Sequence, residues 1–583
     1  MKANKYIKYT VAAAMAISFA SCSDFLDQLP DERTELDTND KIEQLLMTAY
    51  PNTNYSWLCE LSSDNLIDNQ SPHLPSGPWD QQVLSHYNYS AYDRMDDELF
   101  RFEPANSATY SSWDSPGMIW EGYYASIASA NAALEALDKM RDKDGKLTSR
   151  QQNIRAEALL LRAYSHFILV NIFAQAYKDE TKSAEEVGIP YVTTPETELR
   201  KGYDRSNVKD VYDKIQKDLE EGLANVSDAY YKKPKYHFNS NAAHAFAARF
   251  YLYKRDYKKV IEHANYVLGT DSVSAGKMMM NYAAFDGCAT SNDFANVWHS
   301  PDRNNNLMLL TTYSVYERRS FGYRYSMAGP VAQQVLMVHE SPLWNSYYAS
   351  PIAIVGGFIF SSSMADYGFF TTKVGEHFEY SNKLAGIGSP HNIVRAFTAN
   401  ELLLERAEAN IMLGNIKAAQ DDLRWYWNCS IDNFSAADKQ AYLDAGYIKY
   451  LTNPVFDSYY SNGNNINCHQ SWDFTEKNVS SSFVVPADRV KYMNCLNDFR
   501  RFETCNEGLR FFDLKRWGME WTHTVGNNST EYVMSGDDPR RAIEVPWETL
   551  SAGLGTSRPT VTATSASPKA VNDTRKFKIN KED

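Results

Sequence analysis

The sequence predicts a mainly α-helical protein whose helices come in pairs, interrupted by two long loop-rich insertions. Three observations carry this. Apolar residues recur at helical spacing in several separate windows, neighbouring windows are parted by short polar breaks, and between them lie stretches rich in Gly, Ser, Asn and aromatics without that period. With 583 residues the chain is long enough for a large core, and more than one domain is the default expectation.

Taken from the N-terminus, the first element is a processing signal. Lys2, Lys5 and Lys8 precede an apolar run from Val11 to Ala20, small residues follow at Ala20 and Ser21, and then comes Cys22. This is the pattern of a bacterial lipoprotein signal peptide. The run is ten residues long, whereas a spanning helix needs about 20. Residues 1–21 are therefore expected to be removed, leaving Cys22 as a lipidated mature terminus. Acyl chains on that thiol contribute about 0.8 kcal/mol of membrane affinity per buried methylene. No stretch after Cys22 approaches 18 consecutive apolar residues.

The helices follow in order. Trp120, Tyr123, Tyr124, Ile127, Leu134 and Leu137 fall on one helical face, and Leu160, Ala163, Phe167 and Val170 form a second face beyond the loop at Asp142 to Ser149. Together they predict a helical hairpin. Val208, Val211, Tyr212, Ile215 and Leu219 mark another helix. A further hairpin joins Ala243, Phe246, Ala247, Phe250 and Tyr251 to Tyr257, Ile261, Ala264 and Leu268 across a break at Arg255 and Asp256. Leu403, Ala407 and Ile411 lead to a stop at Gly414, after which Ile416, Ala419 and Leu423 complete the last pair. Paired helices with Ala and Tyr at their contacts look like tetratricopeptide-type units, unevenly spaced. The insertions are Ser63 to Pro116 and Gly269 to Thr398, and long insertions on a helical frame usually carry function. If both converge on one face, they form a site. Helix returns from Asp498 to Gly518, and the Thr/Ser/Pro/Lys-rich end beyond Ser551 has little to bury.

Composition narrows the function. Without residues 1–21, which hold three lysines and no acid, the net charge of −14 becomes −17. That makes the protein a poor nucleic-acid binder and argues against a polybasic membrane patch. Cys59, Cys288, Cys429, Cys468, Cys495 and Cys505 contain no C-x-x-C pair and suggest no disulfide framework. HExxH, Walker, G-x-G-x-x-G and G-x-S-x-G motifs are absent. Asp302, Asn304 and Asn306 begin like a calcium loop, but Leu307 and Tyr313 stand where Gly and Glu are needed. No metal or cofactor is expected.

Several segments together resemble the SusD/RagB family of surface lipoproteins. Ser21-Cys22-Ser23-Asp24-Phe25-Leu26-Asp27 is similar to its lipidation site, and the segment from Ala156 to Tyr164 to its early "GEAxFLRA" helix. Gly188-Ile189-Pro190-Tyr191 with Val211-Tyr212 and Asp218-Leu219 resembles "GIPLV…VY..I..DL". Glu401 to Ala409 is similar to "ELLLxxAEA", and Glu507 to Gly518 to "EGxRxxDLxRWG". Cys505 and Asn506 depart from the apolar residues usual before that glutamate, and the usual closing motif is not evident after Glu548. The ladder Glu507, Arg510, Asp513 and Arg516, each three apart, reads as structural i,i+3 pairing with Phe511 and Leu514 inward.

The resemblance implies a SusD-like fold divided as 1–21 signal peptide, 22–235 N-terminal region with the first helical repeats, 236–550 C-terminal region with a ligand-binding insertion, and 551–583 tail. It also implies a non-catalytic protein on the outer face of an outer membrane, held by its lipid. Its partner would be a SusC-like TonB-dependent transporter, to which it delivers oligosaccharides. Sugar binding needs flat aromatic rings beside polar groups. The two insertions offer Trp79, Tyr87, Tyr89 and Tyr92, then Tyr323, Arg324, Tyr325 and Trp344, in windows that resemble by position the family's binding loops. The rival readings are a surface glycoside hydrolase or lyase, whose two carboxylates need no fixed motif, a scaffold that recruits proteins, and peptide capture within the same family.

Overall fold

The computed structural model describes residues 35–70, 90–105, 113–196, 202–280, 282–285, 287–320, 323–327, 371–430, 474, 482–526 and 530–558. Cys22 and the signal segment lie outside them. In chain order the elements begin with α1 (Asn39–Met47), α2 (Ser56–Leu61), β1 (Ile67–Asp68) and α3 (Arg94–Phe100). The paired helices follow as α4 (Pro116–Lys139), α5 (Ser149–Phe173), α6 (Glu180–Glu185), α7 (Val208–Leu223), α8 (Ser240–Lys254) and α9 (Tyr257–Leu268). The second insertion contributes α10 (Ser272–Gly276), α11 (Ser291–Trp298), β2 (Asn306–Tyr313), α12 (Tyr316–Arg319), β3 (Tyr325–Ser326), β4 (His377–Asn382) and β5 (Ile387–Thr398). Then come α13 (Ala399–Leu413), α14 (Ile416–Ser430), α15 (Val490–Glu503), α16 (Leu509–Trp517), β6 (Trp521–Val525), β7 (Thr530–Met534) and α17 (Trp547–Ser551).

The fold is mainly α, as the periodicities predict, and its hairpins are α4–α5, α8–α9 and α13–α14. Thr148 and Gln151 close a capping box at the start of α5. This helix is long and apolar enough to cross a membrane, yet every residue of its apolar window is covered by protein. Its buried charged groups are paired. Arg162 donates a fork of hydrogen bonds to Asp218 of α7 at 2.7 and 2.8 Å, and Arg406 does the same to Asp422 across α13–α14. Gly414 ends α13 at φ 83°, whereas α8 ends on Arg255 at φ 66° with Asp256 capping α9. Buried apolar side chains from Ile42 to Val545 form one contiguous cluster.

Four expectations need correction. The helix expected from Asp498 to Gly518 is two helices, α15 and α16, split at 504–508. Asn506 stands at φ 63° and Gly508 at φ 77°. Asn506 uses both ends of its amide, accepting from Thr371 N and donating to the Tyr316 hydroxyl. A side chain at Gly508 would meet the Ser56 backbone at 2.8 Å, so only glycine lets α16 sit against α2.

The charge ladder is also different. Only Asp513 and Arg516 pair along the helix. Glu507 binds Arg395, Arg510 binds Asp64, Asp513 binds Arg500, and Arg516 binds Glu408. Glu507, just before α16, is 13% exposed and the other side chains are buried; together they tie this segment to four other parts of the chain, so the signature is structural by tertiary rather than local pairing.

Finally, the insertion from Gly269 to Thr398 is not simply irregular, because its described part contains α10, α11, α12 and an antiparallel sheet of order β2-β5-β4. Nor does packing stop at Ser551. Arg558 is buried and donates to the carbonyls of Ala542, Phe102 and Arg540. Cys59 and Cys505 are buried free thiols. Asn306 donates to the Trp298 and Ser300 carbonyls, closing the turn into β2. Among the described residues no group of three or more metal-ligating side chains occurs.

Burial of Glu60 in α2 pushes its carboxyl up to about 7, against hydrogen bonds from Asn65 and the Gly508 amide that favour the anion. Because the folded value lies above the unfolded one, the protonated form stabilises the fold at low pH and that contribution is lost as pH rises from about 4.5 to 7. Wild type should therefore lose roughly 3 kcal/mol relative to Glu60→Gln across this window. Urea unfolding of both proteins at either end of the window checks it. A difference that does not change with pH would show Glu60 ionised throughout.

Candidate functional site

The two insertions do converge. β1 pairs with β3 in the registers Ile67 to Ser326 and Asp68 to Tyr325. The Asn69 amide donates to the Arg324 carbonyl at 2.8 Å, and the Arg324 amide to the Ser90 carbonyl at 3.1 Å. Asn69 also donates its side-chain amide to the Tyr323 carbonyl and the Ser326 hydroxyl. Segments more than 250 residues apart are thus locked backbone to backbone.

Beneath this seam lies a buried charge cluster. Arg319, on α12, donates to Asp96 at 2.7 Å and to Asp93 at 2.9 Å, and its Nε lies 3.5 Å from Asp114. Asp93 caps α3, so the helix start and the guanidinium share it. Trp57 Nε1 donates to Asp96, and Ser314 with the Val315 amide to Asp114. Burial raises Asp96 to about 7 although Arg319 opposes it, and raises Asp114 for the same reason. The cluster supports the surface above. The Arg319 guanidinium lies 4.5 Å from the Tyr92 ring centroid, and Tyr92 meets Tyr323 edge to face at 4.9 Å.

Each expected ligand residue has a definite place, or none that can be described. Tyr323 is half-buried and, with Tyr92, forms the aromatic pair of the junction. Arg324 grips Asp68 through two hydrogen bonds at 2.7 and 2.9 Å and approaches Asp97 at 3.3 Å, so its guanidinium is already engaged. Tyr325 is corrected: it is 1% exposed, stacks on Phe100 at 4.4 Å and donates its hydroxyl to Asp97. No ring face is left for a ligand. Trp79, Tyr87, Tyr89 and Trp344 lie outside the described residues.

Other aromatics join the site that the sequence reading missed. Phe378 and Tyr380, two residues apart on β4, contact each other at 4.9 Å and are 38% and 52% exposed. Arg318 lies 6.0 Å from the Phe378 ring while paired with Glu376. Across the same sheet Tyr313 contacts His391 at 4.4 Å and stacks on Trp113 at 4.8 Å. The available signal was the spacing of Phe378 and Tyr380 around Glu379, a period of two that marks a strand. Exposed rings beside carboxylates, amides and guanidinium groups can cover a flat C–H surface and pair with hydroxyls.

The fold defines the class of protein: a mainly helical SusD-type fold with irregular helical hairpins beneath a loop-and-sheet face. Residues 24–252 match a SusD-like family model described as starch-binding associating with outer membrane. Solved structures of similar fold include SusD superfamily proteins from Bacteroides thetaiotaomicron (16% identity, TM-score 0.54, covering 89% of this chain and 99% of the other) and Bacteroides vulgatus (16%, 0.55, 91% and 100%). A SusD superfamily protein from Bacteroides fragilis is comparable (15%, 0.55, 89% and 99%). No curated protein sequence matches the chain. The chain thus shares the fold of SusD superfamily structures, and residues 24–252 resemble the SusD-like family.

Proposed function

We propose that this protein is a non-catalytic outer-membrane lipoprotein that captures oligosaccharides on the aromatic junction of its two insertions and passes them to a SusC-like TonB-dependent transporter. The observation that carries the binding role is the Tyr92–Tyr323 pair, supported from below by Arg319 and set where two distant insertions meet. Its polar neighbours suit sugar hydroxyls, while the rings suit sugar C–H faces. The family description, starch-binding and associating with the outer membrane, supports both ligand class and location. The lysine-led apolar run before Cys22 supports lipid anchoring. Trp79, Tyr87, Tyr89 and Trp344 remain proposed contacts on sequence grounds.

Tyr323→Ala is expected to weaken glycan capture about tenfold, the scale of one lost aromatic contact, with little change in unfolding free energy. Tyr92→Ala should do the same, and Trp79→Ala is the third member of the series. Calorimetric titration with a glycan panel measures it, and unchanged affinity in all three would remove the platform. Assay of the same mixtures for new reducing ends separates capture from hydrolysis, since sustained turnover belongs to the glycosidase reading. Mass spectrometry of the mature N-terminus tests acylation at Cys22.

A further inference from the structure

We propose that the α8–α9 hairpin, which lies outside both insertions, binds a divalent transition-metal ion of the copper(II) or nickel(II) class between His244 and His263. Their Nδ1 atoms lie 3.0 Å apart, one on each helix of the hairpin. An imidazole nitrogen sits about 2.1 Å from a zinc-sized ion, so two of them are about 3.0 Å apart at a right angle and about 3.4 Å at the tetrahedral angle. The separation here is the right-angled one, which suits square-planar or tetragonal copper(II) and nickel(II); zinc needs the rings to part by about 0.4 Å. Without an ion, one Nδ1–H donates to the other Nδ1. When the ion binds, that proton passes through water to Nε2 of its own ring. Both Nδ1 lone pairs then face the metal, and no net proton is released.

The surroundings hold the rings in this arrangement. Tyr266 stacks on His244 at 3.6 Å, and Tyr251 lies parallel to His263 at 5.5 Å. Stacking covers the ring faces and leaves the nitrogen edges turned toward each other, on helices rather than loops. Both histidines are half-buried, and burial holds their imidazoles down to about 4, so they are uncharged near neutral pH and ready to act as ligands. Exposed Glu262, next to His263 in the chain, adds negative charge felt by His244. Lys259 opposes a cation at His263, but it is paired with Glu220 at 2.7 Å. No group of three protein ligands forms among the described residues, so water completes the coordination and the affinity falls below that of a closed structural site. Imidazole ligands suit copper, nickel and zinc, whereas magnesium and calcium take oxygen.

The test titrates the untagged mature chain near neutral pH with copper(II), nickel(II), zinc(II) and magnesium(II) by calorimetry. Copper(II) should bind in the micromolar range and ahead of nickel(II) and zinc(II), with no uptake of magnesium(II). Pulsed paramagnetic resonance of the copper-loaded wild type should show two coordinated imidazole nitrogens, a readout that needs no variant. His244→Ala and His263→Ala should each weaken copper uptake at least about tenfold, the loss that even a residue supporting a metal ligand causes. Circular dichroism confirms that both variants are folded. No micromolar uptake by the wild type, a spectrum without two imidazole nitrogens, or uptake unchanged in either folded variant would overturn the site. Magnesium(II) binding as tightly as copper(II) would overturn it too, because that ion selects carboxylates.

Discussion

Replacing Arg510 by alanine is expected to cost about 3–5 kcal/mol of stability, because it leaves a buried carboxylate without its counter-charge. Arg510 and Asp64 have fully buried side chains and are joined by hydrogen bonds at 2.7 and 2.8 Å, and Arg510 also donates to Asn497 at 2.6 Å. Arg501 stands 3.9 Å from Asp64, too far to take over the fork. The pair joins the C-terminal signature helix to the start of the first insertion, so its loss should also loosen the junction. Urea unfolding of wild type, Arg510→Ala and the double variant Asp64→Leu/Arg510→Met measures the effect. The double variant should recover much of the loss, since removing both charges removes the stranded one. Arg94→Ala is the contrast: its partner is Glu98 but its own side chain is 81% exposed, so less than about 1 kcal/mol is expected. Equal losses for Arg510→Ala and Arg94→Ala would contradict the argument.

Arg319→Met should be comparably severe, about 3–5 kcal/mol, and should weaken ligand capture as well. Its side chain is fully buried against three carboxylates. With the guanidinium gone, Asp96 and Asp114, already raised by burial, rise further. Groups whose folded pKa exceeds the unfolded value stabilise the fold when protonated, so the variant should regain stability relative to wild type as pH falls from about 7 toward 4. Tyr92 loses the cation against its ring at the same time. Stability unaffected by the change, or a deficit that grows on acidification, would contradict this account of the cluster.

How much of this was legible in the sequence follows from what is local. The hairpins were visible because helical spacing, the Gly414 stop and the Arg255–Asp256 break are properties of neighbours in the chain. That the insertions are polar and rich in aromatics was also visible, and the structure brings them together through β1 and β3. Which of their aromatics lie near the surface was not. Tyr323 and Tyr325 differ by two positions, yet one lies at the surface pair with Tyr92 and the other is sealed between Phe100 and Asp97. Only the β1–β3 register separates them. Likewise, three-residue spacing suggested that Glu507, Arg510, Asp513 and Arg516 pair with one another, whereas each finds a partner on another element.

By itself, then, the sequence determined the helical class, the hairpin boundaries, the lipoprotein-like start and the polar, aromatic-rich character of the two insertions. Tertiary structure decided the break at Asn506 and Gly508, the partner of every buried arginine and the rings that face outward. The physical reason is range. Helical periodicity and capping act over three or four residues, but desolvated charges and ring contacts are settled by groups that folding brings together from far along the chain.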